Sequence, residues 1–594
     1  MTYKSFSAFA VLVALVLAIT SLWDDSFIVD EIPHVGAGYS YVTKGDFRLN
    51  PEHPPLAKDL AGFALLSQDM DQTAFSTQYW TTDVNGQWNF GRTLIYSRSN
   101  NVDAVTRTAK IIMLIFFLLS AVLIYRFANE RYGERAAFIA ILLFSFSPTV
   151  LAHSRFVTTD VPALFGVLLG TYFFFKFIQK PTWGRFWFAA VAFGIAQLTK
   201  FSVVLIVPLF VLMTIAWCMA NSFSFRHSAA VFIRSLLLMA VGIIIVVWPV
   251  YALHIINYPP EKQKNDTESN LASYGNRLFA DPVVWASDKP AIRSLAYYAS
   301  GILMVVQRSK GGNTTFFLGE VRNYAWKHYF PTVYAIKEPI AFWLLTIAVL
   351  FYLIIKTQFK ISNLKFQKIK NWVREYFVEF SMLLWLAIYW YFSINANLNI
   401  GVRHLLPTYG FVFILLGGQL SNMVQNLKRK TQNNNINFKR LFLGSTFSLS
   451  LLLGWYIYEA VSVHPYYLTY FNQIAGGPSG GYRYAVDSNL DWGQDLKRLA
   501  IWAEENDIDK INLDYFGWAD QRYYLKDKLV WIHAGTYNSA RDFLAQNPDG
   551  GYIAVSATFY MNSRENPKTS YAWLDAYKPI ITIGNSIFVW KIER

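Results

Sequence analysis

The 594-residue chain has one cysteine, Cys218, and it lies inside an apolar run. An internal disulfide is excluded, and so is a metal site of the CxxC kind. Charge is also scarce. Asp, Glu, Lys and Arg make up 15% of the chain, against 54% hydrophobic and 18% aromatic residues. That balance is too apolar for an ordinary soluble domain. There is no P-loop, no HExxH motif and no repeat of 20–50 residues, which sets aside P-loop nucleotide chemistry and zinc proteolysis. Acids are outnumbered by bases, 39 to 53, for a net charge of +14. The bases cluster in short loops between apolar runs. This is the mark of orientation in a bilayer, and it argues against nucleic acid as a partner.

What the chain does have is long apolar runs. A bilayer core takes roughly 20 apolar residues per helix. Eleven runs qualify: 6–23, 109–125, 136–152, 160–178, 186–199, 201–219, 231–251, 339–356, 378–393, 405–424 and 441–461. The first reads as a retained span, because no small-residue cleavage site follows it. The stretch 186–219 holds Lys200 at its middle and is too long for one span, so two short helices turning near Lys200 are expected. Basic loops fall at 125–135, 176–185, 226–234, 356–374 and 428–440. Putting them on the cytoplasmic side gives a cytoplasmic N-terminus and an external C-terminus. Three long segments, 24–108, 252–338 and 462–594, then face outward. The polar run Gln432-Asn433-Asn434-Asn435 reads as a solvated cytoplasmic loop.

The expected fold is a polytopic all-α membrane bundle of about eleven helices (residues 1–461) followed by a mixed α/β soluble domain (462–594). That domain is entered through Tyr466, Tyr467, Tyr470 and Phe471, which suit headgroup level, and a glycine-rich hinge at Gly476–Gly481. Its pattern predicts a helix over 496–505 and strands over 511–516, 552–556 and 580–591. In Asp487-Ser488-Asn489-Leu490-Asp491-Trp492-Gly493-Gln494-Asp495, helix capping is favoured over a calcium loop. Asp69-Met70-Asp71 and Asp507-Ile508-Asp509 fit the D-x-D pattern of nucleotide-sugar enzymes, but so short a match is frequent by chance.

Chemistry concentrates just past the first run. Asp30-Glu31-Ile32-Pro33-His34 is followed, after an aromatic and glycine-rich stretch, by Pro51-Glu52-His53-Pro54-Pro55-Leu56-Ala57-Lys58. Acids beside hydrocarbon sit at interfaces or in water-filled cavities. The alternative reading is that Asp30 or Glu31 caps a short surface helix. Pro54-Pro55 forces an extended backbone and then permits a helix start. The N-terminus of that helix, with Lys58 one turn in, suits a phosphate.

This pattern resembles the first lumenal loop of the protein O-mannosyltransferases, where an Asp-Glu pair precedes a His-Pro-Pro-Leu-Gly/Ala-Lys segment. Glu52-His53-Pro54-Pro55 is also similar to the Glu-Lys-Pro-Pro of the lipid A aminoarabinose transferases, with His53 in place of Lys. Both are GT-C integral-membrane glycosyltransferases. The resemblance implies a GT-C-like fold and a polyprenyl-phosphate-linked sugar donor. It also implies transfer of a hexose, mannose by this likeness, to a hydroxyl of a protein, lipid or glycan, with inversion at the anomeric carbon. It makes Asp30 the base, with Glu31 and Glu52 orienting acceptor or sugar and His53 binding substrate. Lys58, Arg155, Lys200, Arg403 and His404 are candidate phosphate partners, and Asp160 is a candidate second acid. Residues 311–320 suit a cover over the site. The resemblance fixes no cofactor, and acids of this kind are compatible with a divalent cation. The expected setting is a bacterial plasma membrane. The competing expectation is a transporter or flippase of lipid-linked glycans. It is disfavoured because transporters place ionisable groups at the bilayer midplane, and these spans are nearly clean apart from Lys200.

Overall fold

A computed structural model describes residues 2–357, 366–431 and 436–594. Lys360 and Lys365 of one basic loop, and the run 432–435, lie outside the described residues. Every one of the eleven apolar runs falls on helix. Among the described residues, seven helices are long and apolar enough to cross a membrane, or nine if two bent pairs each count as one span. The bent pairs are Glu134–Ser145 with Pro148–Ser154, at 65°, and Tyr329–Lys337 with Ile340–Lys356, at 107°. Both bends fall at a proline, Pro148 or Pro339, which opens a new helix and cannot continue the old one. The two remaining runs are Trp183–Gln197, of 15 residues, and Leu406–Thr431, of 26. The protein is an integral membrane protein.

The long stretch around Lys200 breaks as its length requires. Helix Trp183–Gln197 ends, Lys200 is extended, and a 3-10 turn at Phe201–Leu205 leads into Ile206–Asn221. Helix Trp183–Gln197 runs back along Asp160–Gln179. Arg185 donates to the Lys176 carbonyl at one end (2.8 Å), and Lys200 meets Asp160 at the other (2.5 Å).

The basic loops gather at one end of the bundle. Arg135 donates to the Tyr3 hydroxyl (3.3 Å), Arg131 pairs with Glu379 (2.8 Å), and Lys370 reaches Ser222. The three long segments gather at the opposite end and bond to one another. The Asn257 N–H donates to the Gly45 carbonyl (3.0 Å), Asn472 to Ile336 (2.8 Å), and Val29 to Trp492 (2.9 Å).

At that end, helix Glu31–Lys44 lies against Leu56–Leu65 and Gln87–Ile95. It is not a surface helix, for residues 31–41 are all buried. Glycine allows the close crossing. A Cβ on Gly38 would stand 2.0 Å from the Lys58 carbonyl oxygen, and one on Gly62 would stand 2.3 Å from that of Gly38.

Seven strands are described. Strands β1 (Thr315–Phe317) and β2 (Glu320–Arg322) form an antiparallel hairpin. It docks on the C-terminal segment through the Leu318 N–H and the Tyr484 carbonyl (3.0 Å). Strands β3 (Ile511–Asp514), β4 (Leu529–Trp531), β5 (Gly551–Ser556), β6 (Ile581–Ile583) and β7 (Ile587–Ile592) make one sheet in the order β4-β3-β5-β7-β6. β3 is parallel to β4 and β5, and β7 is antiparallel to β5 and β6. Gly584 and Asn585, both at positive φ, make the tight β6–β7 turn. Helix Leu496–Glu505 has the bounds that its pattern predicts. The entry aromatics do not stand at a headgroup belt. Tyr467, Tyr470 and Phe471 are buried, because residues 466–495 thread between the helices and the sheet.

Candidate active site

Asp30 occupies the N-cap position of helix Glu31–Lys44, yet its side chain caps nothing. The job is done from inside the helix. Glu31 reaches back to accept from the Ile28 N–H (2.9 Å), and its other oxygen accepts from the Val157 N–H (2.8 Å). Lys110 closes the arrangement at 2.8 Å. With Glu31 holding the backbone on one side and Val29 bonded to Trp492 on the other, the Asp30 carboxylate is free to project, 23% exposed.

It projects toward Arg403. One Nη1 of that guanidinium stands 3.1 Å from Asp30 and 3.3 Å from Asp160. Asp160, fully buried, also holds Lys200 at 2.5 Å. Two cations thus share one buried acid, and each keeps donors to spare. Nη2 of Arg403 carries no hydrogen bond among the described residues, and Lys200 makes one. Arg403 is itself clamped by the C-terminal segment. Its Nε donates to Ser488 (3.1 Å), its plane lies over the Trp492 ring (4.1 Å), and the adjacent Val402 N–H donates to Asn489 (2.9 Å). Gly401 permits the contact, for a Cβ there would stand 2.2 Å from Ser488 Oγ. Asp487 adds a third acid beside this group. Burial pushes its carboxyl up to about 6 against the pull of Arg403.

Several residues expected at the site are placed elsewhere. Lys58 does not face a phosphate. Its buried ammonium is used up by the Tyr41 hydroxyl, Asn50 Oδ1 and the carbonyls of Asn50 and His53, at 2.7–3.0 Å. Three donors facing four acceptors leave nothing for a ligand. Arg155 is likewise turned away, onto Asp25 and the Ser21 carbonyl. Glu31 has both oxygens engaged, as above. Glu52 accepts from Gln87 (2.6 Å) and Asn85 (3.3 Å) and remains partly exposed. The His53 ring meets His34 edge-on at 4.8 Å. Burial pushes His34 down to about 4, so its ring is neutral and its Nδ1 proton sits on the Val157 carbonyl (2.7 Å). His404 follows Arg403, and its enclosed Nε2 has no hydrogen-bond partner among the described residues. Among the described residues no group of three or more His, Cys, Asp or Glu is arranged to hold a metal ion. Arg403 already bridges Asp30 and Asp160, so these carboxylates do not fit a divalent cation between them.

Sequence patterning misses Asp25, Lys110, Ser488, Trp492 and Arg498. Asp25 is fully buried, with Arg155 on one oxygen, Arg498 on the other (2.8 Å) and Lys110 at 3.6 Å. Burial alone would raise its carboxyl, but the three cations hold it below the usual range. An acid at the end of an apolar run carries no signal that its partners lie up to 473 residues away. The segment 487–495 reads as a helix cap, and Asp495 takes the N-cap position of helix Leu496–Glu505. It makes no cap bond, because Arg498 (2.5 Å) and Ser586 (2.6 Å) take its oxygens.

Asp491 supports the Trp492 platform and titrates unusually. It is buried, accepts from the Thr558 N–H (2.8 Å), and leaves Oδ1 without a partner. Burial pushes it up to about 8. The unfolded chain loses this proton near pH 4. The folded state therefore binds the extra proton between pH 4 and 8, and its stability falls as pH rises through that window. Melting followed from pH 6 to 9 should show this fall. Asp491→Asn, which cannot ionise, should flatten it by about 1–2 °C or more. Identical slopes for both proteins would refute the assignment.

Residues 100–251, which carry Lys110, Arg155, Asp160 and Lys200, match the family described as dolichyl-phosphate-mannose-protein mannosyltransferase. No curated protein matches the chain. Solved structures similar to it include three glycosyltransferases. One is the archaeal oligosaccharyltransferase AglB from Archaeoglobus fulgidus in complex with an inhibitory peptide and a dolichol-phosphate (13% identity, 94% of this chain and 70% of that one, TM-score 0.48). Another is ArnT from Cupriavidus metallidurans bound to undecaprenyl phosphate (13%, 99% and 98%, TM-score 0.35). The third is the S. cerevisiae protein O-mannosyltransferase Pmt1-Pmt2 complex bound to the sugar donor (18%, 43% and 34%, TM-score 0.30). The match to a glycosyltransferase family thus covers residues 100–251 of the 594, within the membrane bundle.

Proposed function

We propose that the protein moves a hexose, mannose by the family match, from a polyprenyl-phosphate carrier to a hydroxyl of a protein, lipid or glycan. The reaction takes place at the end of the bundle formed by 24–108, 252–338 and 462–594. That end faces outward from a bacterial plasma membrane, and the basic loops and the N-terminus lie in the cytosol. Residues 1–461 form the membrane module and 462–594 its outer α/β domain.

The observation that carries this reading is the arrangement Asp30–Arg403–Asp160–Lys200. Asp30 takes the proton of the acceptor hydroxyl as its oxygen attacks the anomeric carbon. The bond from that carbon to the phosphate oxygen breaks, and its electron pair stays on the phosphate. The unused donors of Arg403 and Lys200 receive the charge that develops there. Attack opposite the phosphate inverts the centre. Asp160 keeps both cations in place, Glu52 and His53 line the substrate side, and Glu31 acts as a positioning residue through the Asp30 backbone.

The test is release of polyprenyl phosphate from a labelled lipid-linked sugar by purified protein, with sugar appearing on an acceptor. Arg403→Ala should slow this by about 10²–10³. Movement of the lipid-linked sugar across vesicles with no covalent transfer would refute the proposal in favour of a transporter.

A further inference from the structure

Beyond the ion-paired site, the C-terminal sheet carries an open cleft of about 490 Å³ that the proposed reaction does not use. This lies in the ~300–1,000 Å³ range of small-molecule sites. Its floor is aromatic. Tyr560 packs on Phe588 (5.4 Å between ring centroids) and on Trp590 (5.3 Å). Its rim is polar and planar. Nη2 of Arg564 donates to both oxygens of Asp575, at 2.8 and 3.1 Å, and the Tyr560 hydroxyl donates to the same carboxylate. Nε of Arg564 is enclosed and has no hydrogen-bond partner among the described residues. Tyr577, 40% exposed, stands on the rim, although a tyrosine ring there contributes nothing to the core.

We infer that this cleft binds a neutral oligosaccharide, the glycan-bearing part of the acceptor. Sugar rings present C–H faces that pack on aromatic rings, and their edges carry adjacent hydroxyls. A carboxylate beside a guanidinium offers acceptors and donors at matching spacing. The guanidinium of Arg564 is offset by Asp575, and Arg483, the second cation of the lining, is turned onto the Tyr482 hydroxyl (3.3 Å).

The connection to the reaction runs through the backbone. Tyr482 forms part of the cleft wall, and Phe316 and Gly319 of the β1–β2 hairpin form another part. The chain that carries Tyr482 continues past the hairpin contact at Tyr484 to Asp487 and Ser488, the residues beside Arg403. The seven-residue segment Tyr482–Ser488 thus joins the cleft to the candidate site. This inference names the acceptor class and rests on the transfer reaction proposed above.

The experiment is saturation-transfer NMR on the detergent-solubilised full chain. The probes are linear mannose and glucose tri- to pentasaccharides, a sialylated trisaccharide and a Ser/Thr-rich peptide. Neutral oligosaccharides should be saturated, with signal at least fivefold weaker for Asp575→Asn and for Tyr577→Ala. Both side chains are exposed. The Trp590 Nε1–H donates to the Tyr577 carbonyl (3.1 Å), a backbone contact that Tyr577→Ala keeps. Asp30→Asn should bind as the native protein does. No saturation, saturation indifferent to both rim variants, or saturation of the peptide or the sialylated probe alone would overturn the inference. Binding is read without turnover. A dry cleft leaves a positive donor-release result standing, and a failed donor release leaves measured binding standing.

Discussion

Asp30→Asn should lower transfer by about 10²–10⁴, the usual worth of a positioned base, while the protein folds and accumulates. The substitution keeps the shape and the N-cap position. Asp30 makes no side-chain cap bond, so none is lost. The pair with Arg403 is mostly buried, but the substitution leaves no buried charge unpaired, because Arg403 retains Asp160 and Ser488. Melting should therefore stay within about 2 °C of the native protein. What is lost is the ability to accept a proton, since an amide oxygen is far too weak a base. The measurement is polyprenyl phosphate release at matched protein concentration. Near-normal turnover by this variant would remove Asp30 from the role.

A variant five residues earlier should behave in the opposite way. Asp25→Ala removes the one carboxylate shared by Arg155, Arg498 and Lys110, all within a region closed to water. Breaking a buried pair by deleting one partner costs ~3–5 kcal/mol, and here three cations are affected. Lys110 keeps Glu31 and Arg498 keeps Asp495, which limits the damage. Arg155 keeps only the Ser21 carbonyl. Against a total stability of ~5–15 kcal/mol, the protein should fail to accumulate as a monodisperse species. Fluorescence-detected size exclusion with a thermal ramp checks this. A normal peak melting within about 2 °C of the native protein would show that the cluster is not structural. The cluster joins the end of the first span, helix Val102–Tyr132 and helix Leu496–Glu505, so its failure should release the C-terminal segment that clamps Arg403.

These two acids differ in what the sequence around them carries. Asp30 stands out because its neighbours are informative. An Asp-Glu pair just past an apolar run, ahead of a Glu-His-Pro-Pro segment, is a local pattern. Asp25 has no local pattern. It reads as the polar end of a span, and its importance comes from bases that fold onto it from three other parts of the chain. Lys58 shows the converse. Its position one turn into a helix suggests an anion site, but only the folded loop reveals that Asn50, His53 and Tyr41 already occupy it.

Hydropathy and charge alone determined that the chain crosses a membrane many times, that its bases collect at one end and its long segments at the other, and that the stretch around Lys200 must turn. Periodicity determined the helix at 496–505 and most of the C-terminal strands. These features are local, because burial period and loop charge are written within a few tens of residues. The tertiary structure decided which charges meet. It brought Asp30, Asp160, Lys200 and Arg403 together, took Arg155, Lys58 and Glu31 into supporting roles, and placed Ser488 and Trp492 against Arg403. Pairing across hundreds of residues depends on how helices pack, and no short stretch of sequence encodes that.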